Sequence, residues 1–129
     1  DGDLEPGSSH VWGNVKDRHG KPLDLSVVPD SPRERLVYVK EMKGGWAAIR
    51  NPAIGLGAGL SWDLEDFPHL WLWQEIGGSG FPWYGRSHIT ALEPATQIPS
   101  HGLVRLTFTL FTATDQAVSS IDLDGKVHT

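Results

Sequence analysis

The sequence predicts an all-β protein built as an antiparallel β-sandwich. Fifteen glycines and nine prolines divide the 129 residues into short segments, and almost no segment has the i, i+3, i+4, i+7 apolar spacing of an amphipathic helix. The segments between these breaks are rich in Val, Ile, Thr, Trp and Phe and alternate between apolar and polar residues, as half-buried strands do. Short strands joined by tight turns are typical of an antiparallel sandwich or barrel.

The predicted strands follow a stretch rich in turns. In the first 35 residues, turn signals such as Glu5-Pro6-Gly7 leave room only for short edge strands near Val11 and Leu25. Glycine turns such as Lys43-Gly44-Gly45 separate the later strands. The main strands are predicted at Leu36–Met42, Trp46–Asn51, Gly55–Trp62, Leu70–Glu75, Ser87–Glu93, Leu103–Thr112 and Ala117–Leu123. The length suits one domain with its own core, so a single sandwich domain is predicted over residues 1–129.

The segment Leu103–Phe111 alternates between apolar and polar residues, although the alternation is out of phase near Val104. Side chains two apart on a strand share a face. The apolar residues that compete for the inward face are Leu103, Leu106, Phe108 and Leu110.

Two tryptophans give one strand an aromatic face. Trp71 and Trp73 are two residues apart, so both indoles project from one side of the strand, while Leu70, Leu72 and Gln74 take the other side. Two interpretations stay open for these indoles. They belong to the sandwich core, where tryptophan is usually found, or they line a ligand surface.

Trp83 and Tyr84 are predicted on a loop, because Pro82 precedes them and Gly85 follows them. Loops on rigid sandwiches are where binding residues concentrate, so ligand contact is favoured over simple loop packing for Trp83. The preceding glycines, Gly77–Gly80, lack the Lys-Ser/Thr pair of a phosphate-binding loop. We expect them to give the loop flexibility.

Glu93 ends an otherwise apolar strand and shares a face with Ile89 and Ala91. We therefore expect it to be partly buried. Burial raises the pKa of a carboxyl group toward the range useful to a general base. The alternative is a structural ion pair between Glu93 and Arg86 or Arg105.

Composition limits the classes of partner. The net charge is −5 and there is no Lys/Arg cluster, so neither nucleic acid nor a membrane surface is expected as a partner. No apolar run approaches the ~20 residues that span a bilayer, and the polar N-terminus does not resemble a secretory signal. The absence of cysteine fits a cytoplasmic location. The six histidines lack metal-ligand spacing, so no metal or other cofactor is predicted.

Three segments together resemble the carboxy-terminal half of galactose mutarotase-like proteins, with the greatest likeness to bacterial members of the aldose 1-epimerase group. They are Gly45–Pro52, Leu60–Glu75 and Pro82–Pro94, and their most specific parts are the Trp-x-Trp-Gln strand and the Leu-Glu-Pro strand end. The resemblance implies a large antiparallel supersandwich, of which this chain is the carboxy-terminal part. It also implies aldose mutarotation, an acid–base interconversion of aldose anomers, or simple sugar binding, with a monosaccharide or sugar derivative as ligand.

In the family, a glutamate removes the anomeric hydroxyl proton and a histidine protonates the ring oxygen. Glu93 matches the glutamate, whereas the histidine has no match and is expected upstream of Asp1. The resemblance therefore implies sugar recognition more firmly than catalysis by this chain. A partial sandwich leaves sheet edges and apolar faces open, which predicts association with a second copy or with the missing segment.

These arguments predict a sugar cleft. Its candidate base is Glu93, and its candidate sugar-binding residues are Trp73, Gln74, Trp83, Tyr84 and Arg86. Two other functions stay open. The chain is a non-catalytic carbohydrate-binding module, or it is a structural or assembly domain whose tryptophans all lie in the core.

Overall fold

The computed structural model describes residues 3–96 and 105–129, and this part of the chain is all-β with antiparallel sheets, as the sequence predicts. Its strands are β1 (Val15–Lys16), β2 (Pro22–Leu23), β3 (Arg33–Val39), β4 (Trp46–Asn51), β5 (Leu56–Trp62), β6 (His69–Ile76), β7 (His88–Ala95), β8 (Leu106–Thr112), β9 (Ser120–Ile121) and β10 (Val127–His128). They form two three-stranded sheets, in the orders β3-β6-β7 and β4-β5-β8, and the two pairs β1-β2 and β9-β10. A sandwich arrangement of these sheets remains a prediction.

None of the described residues belongs to a helix long and apolar enough to cross a membrane.

The predicted strand positions are most accurate for β4, which lies between Gly45 and Pro52, and for β5, which follows Gly55. The strand β4 has the predicted bounds, and β5 begins one residue later than predicted. Two short strands are present in this region, as predicted, but they are displaced from Val11 and Leu25 to β1 and β2, and Val11 itself forms only an isolated bridge. The strand predicted at Ala117–Leu123 shortens to β9, because a turn with Gly125 at φ 88° brings β10 back alongside it. Residues 103 and 104, at the start of another predicted strand, lie outside the described residues.

The chain divides into two compact units, each made of two stretches of sequence. The first unit comprises residues 1–37 and 72–91, and the second comprises residues 38–71 and 92–129. The strands β3, β6 and β7 each contribute residues to both units. A single sandwich domain over the whole chain therefore remains a prediction.

The second unit has its core around Trp62, which is only 2% exposed. Ala47 and Leu70 are buried with it, and half-buried apolar side chains from β3, β5 and β7 pack against the three. The indole Nε1 of Trp62 donates a hydrogen bond to the carbonyl oxygen of Phe67 at 2.9 Å. The largest buried side chain of this unit therefore has its one polar atom satisfied, as a buried tryptophan requires.

Two glycines in β5 leave room for side chains that lie directly over the strand, one from the neighbouring strand β8 and one from β9. A methyl group on Gly57 would overlap the ring of Phe111, and one on Gly59 would overlap the side chain of Ile121. On the same face, Thr109 Oγ1 donates to the carbonyl oxygen of Gly125 at 3.1 Å. The segment that carries β9 and β10 therefore packs directly on the strand backbone, which only glycine permits here.

The opposite face of the β4-β5-β8 sheet is only partly covered. Leu106, Phe108 and Leu110 are all exposed, although the sequence places them in competition for the inward face. In β5, Ala58 and Leu60 pair with Leu110 and Phe108 across the sheet. The alternation correctly gives the shared face, but it cannot show whether another layer covers that face. An exposed apolar row is typical of interaction surfaces, and association of this chain remains a prediction.

In the first unit, an ion pair fixes the buried guanidinium of Arg35. Its Nη2 lies 2.6 Å from Oδ2 of Asp3, and the Arg35 side chain is almost entirely buried. The backbone carbonyl oxygen of the same aspartate accepts a hydrogen bond from the Arg18 amide at 2.9 Å. Asp3 therefore contacts both β3 and the turn that contains Arg18. The sequence predicts the start of β3 three residues too late, at Leu36 in place of Arg33. The charged side chain of Arg35 is inward-facing, where the apolar pattern gives no signal of a strand.

Asp17 closes the turn between β1 and β2. Its Oδ1 accepts hydrogen bonds from the backbone amides of His19 and Lys21, each at 2.8 Å. These bonds favour the charged carboxylate, so the pKa of Asp17 lies below its ordinary value, with the Lys21 amide as the main cause.

We expect Trp62→Ala to lower the free energy of unfolding by about 3–5 kcal/mol, because it removes a large buried side chain and leaves a cavity. Trp62→Phe should cost less, since it keeps most of the volume and loses the hydrogen bond to Phe67. Urea denaturation measures both values. The matched control is Trp12→Ala, because Trp12 is exposed. A loss for Trp62→Ala no larger than that of the control would contradict this description of the core.

The depressed pKa of Asp17 predicts a pH-dependent turn. The stabilisation by its carboxylate should be complete above 3.8, the ordinary pKa of the group, and should be lost as the pH falls through the lower folded-state value. NMR titration of the Asp17 carboxyl carbon and of the His19 and Lys21 amides measures the midpoint. A midpoint at or above the ordinary value would show that these hydrogen bonds do not form in solution.

Candidate functional site

The predicted aromatic residues lie around one loop of the first unit. This aromatic loop, residues 77–87, connects β6 to β7. Its base is closed by two backbone hydrogen bonds, from the Gly77 amide to the Ser87 carbonyl at 2.8 Å and from the Gly85 amide to the Gly78 carbonyl at 2.7 Å. Near its tip, the amides of Trp83 and Tyr84 both donate to the carbonyl oxygen of Gly80 at 2.9 Å. The glycines thus allow a defined, hydrogen-bonded turn.

A buried carboxylate holds the two ends of the aromatic loop together. Glu75 is only 3% exposed. Its Oε1 accepts a hydrogen bond from the backbone amide of Gly78 and another from the hydroxyl of Ser87, both at 2.9 Å. A methyl group on Gly78 would overlap the carboxylates of both Glu75 and Glu34. A side chain at this position would therefore push the Glu75 carboxylate away from the amide.

The sequence analysis did not single out Glu75. A carboxylate followed closely by consecutive glycines is a weak signal for this arrangement, because backbone without side chains can approach an acceptor closely. The second donor, Ser87, is twelve residues away along the chain. It comes near Glu75 only because the loop returns, which a linear pattern does not show.

The aromatic side chains of the loop form two pairs with different exposure. Trp73 and Trp83 are half-buried and lie with ring centroids 5.8 Å apart at an interplanar angle of 53°. Phe81 and Tyr84 meet edge to face with centroids 6.0 Å apart, and these two side chains are 83% and 61% exposed. The tryptophan pair packs the loop against β6, whereas the other pair presents ring surface to solvent.

Tyr84 has a backbone conformation that is rare for a tyrosine. Its φ is 50°, in the left-handed region that favours glycine. A residue other than glycine costs about 1–3 kcal/mol there, and an exposed ring recovers little of this by burial. The hydrogen bonds of the Trp83 and Tyr84 amides to Gly80 hold the strained conformation in place.

The two faces of β6 follow the predicted alternation. Leu70, Leu72 and Gln74 are buried on one side, whereas Trp71 is exposed and Trp73 is half-buried on the other. The interpretation that all tryptophans lie in the core is therefore wrong. Gln74 requires a correction as a sugar-binding candidate, because it is buried on the face opposite Trp73 and does not belong to the aromatic surface.

Glu93 is exposed, so the expected partial burial of this carboxylate is wrong. Its neighbours on the same face, Ile89 and Ala91, are only half-buried, because β7 is the edge strand of the β3-β6-β7 sheet. Glu93 also belongs to the second unit, whereas the aromatic loop belongs to the first. Arg86, another sugar-binding candidate, is exposed near the end of the loop.

The described residues contain no cluster of three or more His, Asp or Glu side chains arranged to hold a metal ion. They define an all-β antiparallel protein with an exposed aromatic loop held by a buried carboxylate. Comparisons of the chain with protein-family models, curated proteins and solved structures gave no significant match. Membership of the galactose mutarotase-like family remains a prediction from the sequence.

We expect Glu75→Ala to release the aromatic loop, because it removes the acceptor of the Gly78 amide and the Ser87 hydroxyl. Hydrogen bonds to a charged group contribute about 1.5–3 kcal/mol each, so amide exchange at Gly78 should accelerate at least tenfold. Hydrogen exchange followed by NMR measures this rate. Glu75→Gln is the matched control, since it keeps an oxygen acceptor and should change exchange less. Unaltered protection of Gly78 in Glu75→Ala would rule out this role for the carboxylate.

Proposed function

We propose that this protein binds carbohydrate through the aromatic loop, without converting the sugar. The observation that carries the proposal is Tyr84, a strained residue whose exposed ring stands beside that of Phe81. Strained residues persist where the surrounding structure holds them, and they cluster at functional sites. Exposed aromatic rings on a fixed loop are available to the C–H faces of a pyranose without any rearrangement.

Carbohydrate fits these rings better than nucleic acid, which also stacks on aromatic side chains. Proteins that bind single strands combine stacking rings with a positively charged groove, whereas this chain has a net charge of −5. Arg86 adds one cationic donor group at the end of the loop, and guanidinium groups donate several hydrogen bonds to oxygen acceptors such as sugar hydroxyls. Neutral sugars need such isolated polar donors and do not need a continuous positive field.

Binding without catalysis is favoured over mutarotation by the surroundings of Glu93. Opening a sugar ring requires a base at the anomeric hydroxyl and an acid at the ring oxygen of the same sugar. Glu93 is exposed, and desolvation by burial is what tunes a carboxylate toward general-base chemistry. The buried Glu75, in turn, already accepts two hydrogen bonds within the protein.

The test measures binding of neutral mono- and oligosaccharides by calorimetry and by tryptophan fluorescence. We expect Tyr84→Gly to weaken binding about tenfold, because a lost aromatic contact is worth roughly 1–1.5 kcal/mol. The same change should leave the free energy of unfolding equal or raise it by about 1 kcal/mol, because glycine adopts a positive φ without strain. Loss of affinity together with retained stability separates ligand contact from loop packing. Phe81→Ala should weaken binding similarly, and Trp12→Ala is the control for an exposed aromatic elsewhere.

Two outcomes would contradict the proposal. If Tyr84→Gly and Phe81→Ala bind every sugar as well as the parent, the aromatic loop is not the site. If the protein accelerates the change in optical rotation of fresh α-D-glucose or galactose, and Glu93→Gln abolishes that acceleration, the chain is a mutarotase with Glu93 as base.

A further inference from the structure

A second aromatic pair lies in the second unit, on neighbouring strands β3 and β6. Tyr38 and Trp71 meet edge to face, with ring centroids 5.3 Å apart and an interplanar angle of 83°. They are 62% and 40% exposed, so much of each ring remains accessible. Two large aromatic side chains at right angles on a sheet surface form two adjoining walls of a corner.

This corner is part of a cleft of about 370 Å³. The volume lies at the lower end of the range for small-molecule sites, about 300–1,000 Å³, and therefore suits one small ligand. Besides the two rings, the cleft is lined by Lys40, His69 and Thr96.

The charge of the lining differs from that of the chain. Lys40 is a cation, and the described residues that line the cleft include no carboxylate. The chain as a whole carries a net charge of −5. A positively charged side chain in a cleft of an otherwise negatively charged protein attracts negatively charged ligands, so the expected ligand is an anion.

The angle between the rings indicates the shape of the ligand. A planar ring, such as a nucleobase, that stacks on one of two perpendicular walls meets the other wall only with its edge. A saturated pyranose chair presents axial and equatorial C–H groups in roughly perpendicular directions, so it can contact both aromatic walls. The ligand that fits both the shape and the charge is a pyranose that carries an anionic group.

We infer that the cleft bounded by Tyr38, Trp71 and Lys40 binds an anionic monosaccharide. The rings contact its C–H faces and the Lys40 ammonium pairs with its carboxylate or phosphate. This site is separate from the aromatic loop in its residues, and its existence does not depend on the function proposed for that loop.

The experiment compares binding of D-glucuronate, glucose 6-phosphate, the methyl ester of glucuronate and D-glucose to the full chain by calorimetry. We expect one or both anionic sugars to bind at least tenfold more tightly than the two neutral ones, and the preferred anion identifies the charged group. Lys40→Met keeps the length of an exposed side chain and should abolish that preference. Trp71→Ala should weaken the binding of every sugar at this site about tenfold. Because Trp71 is exposed, this change should leave the fold intact, which the unfolding free energy checks.

The inference is overturned if no anionic sugar is preferred over glucose, or if Lys40→Met keeps the preference. It is also overturned if Tyr84→Gly, rather than Trp71→Ala, removes the binding of the anionic sugar, since that result assigns the ligand to the aromatic loop. Conversely, an anion preference that survives Tyr84→Gly supports this cleft even if neutral sugars do not bind the loop at all.

Discussion

The carboxylate of Glu75 connects the strand framework of the first unit to its exposed aromatic surface. A buried charge is costly unless hydrogen bonds compensate it, and here the compensating donors are the Gly78 amide and the Ser87 hydroxyl. The same two bonds bring both ends of the aromatic loop to the end of β6. The loop therefore inherits its position from a strand that is buried on one face.

The second unit depends on a different constraint, the absence of side chains at two positions of β5. Because Gly57 and Gly59 leave the strand backbone uncovered, Phe111 and Ile121 fill the space directly above it. The sheet therefore carries its cover on that face. On its other face, Trp62 and its neighbours form a core at one end, and the exposed row with Phe108 and Leu110 begins where this core ends. The sheet is thus more completely covered on the face of Gly57 and Gly59 than on the face of Phe108 and Leu110.

Local pattern predicts much of this fold and less of the candidate sites. Glycine and proline mark both ends of β4 and the start of β5, and period-two alternation correctly separates Trp71 and Trp73 from Leu72 and Gln74. What alternation cannot show is whether a second layer covers a face. For that reason, Glu93 and Phe108 are exposed where the sequence predicts inward positions.

Contacts between residues that are far apart in the sequence are the second feature that local pattern does not predict. Ser87 reaches Glu75 because a loop returns, and Tyr38 meets Trp71 because β3 pairs with β6. No spacing rule within a single strand contains this information. The positive φ of Tyr84 is likewise set by hydrogen bonds to Gly80 and not by any preference of tyrosine.

The two tryptophans on the aromatic face of β6 lie in chemically different surroundings. Trp71 and Trp73 are neighbours on one face of one strand, yet Trp71 pairs with Tyr38 and Trp73 pairs with Trp83. The pair in the second unit lies beside Lys40 and His69 and lines a cleft, whereas the pair in the first unit is half-buried and supports a loop that carries the exposed rings. A tryptophan repeat at strand spacing therefore does not define one binding surface. Its two members acquire different surroundings from the strands and loops that approach them.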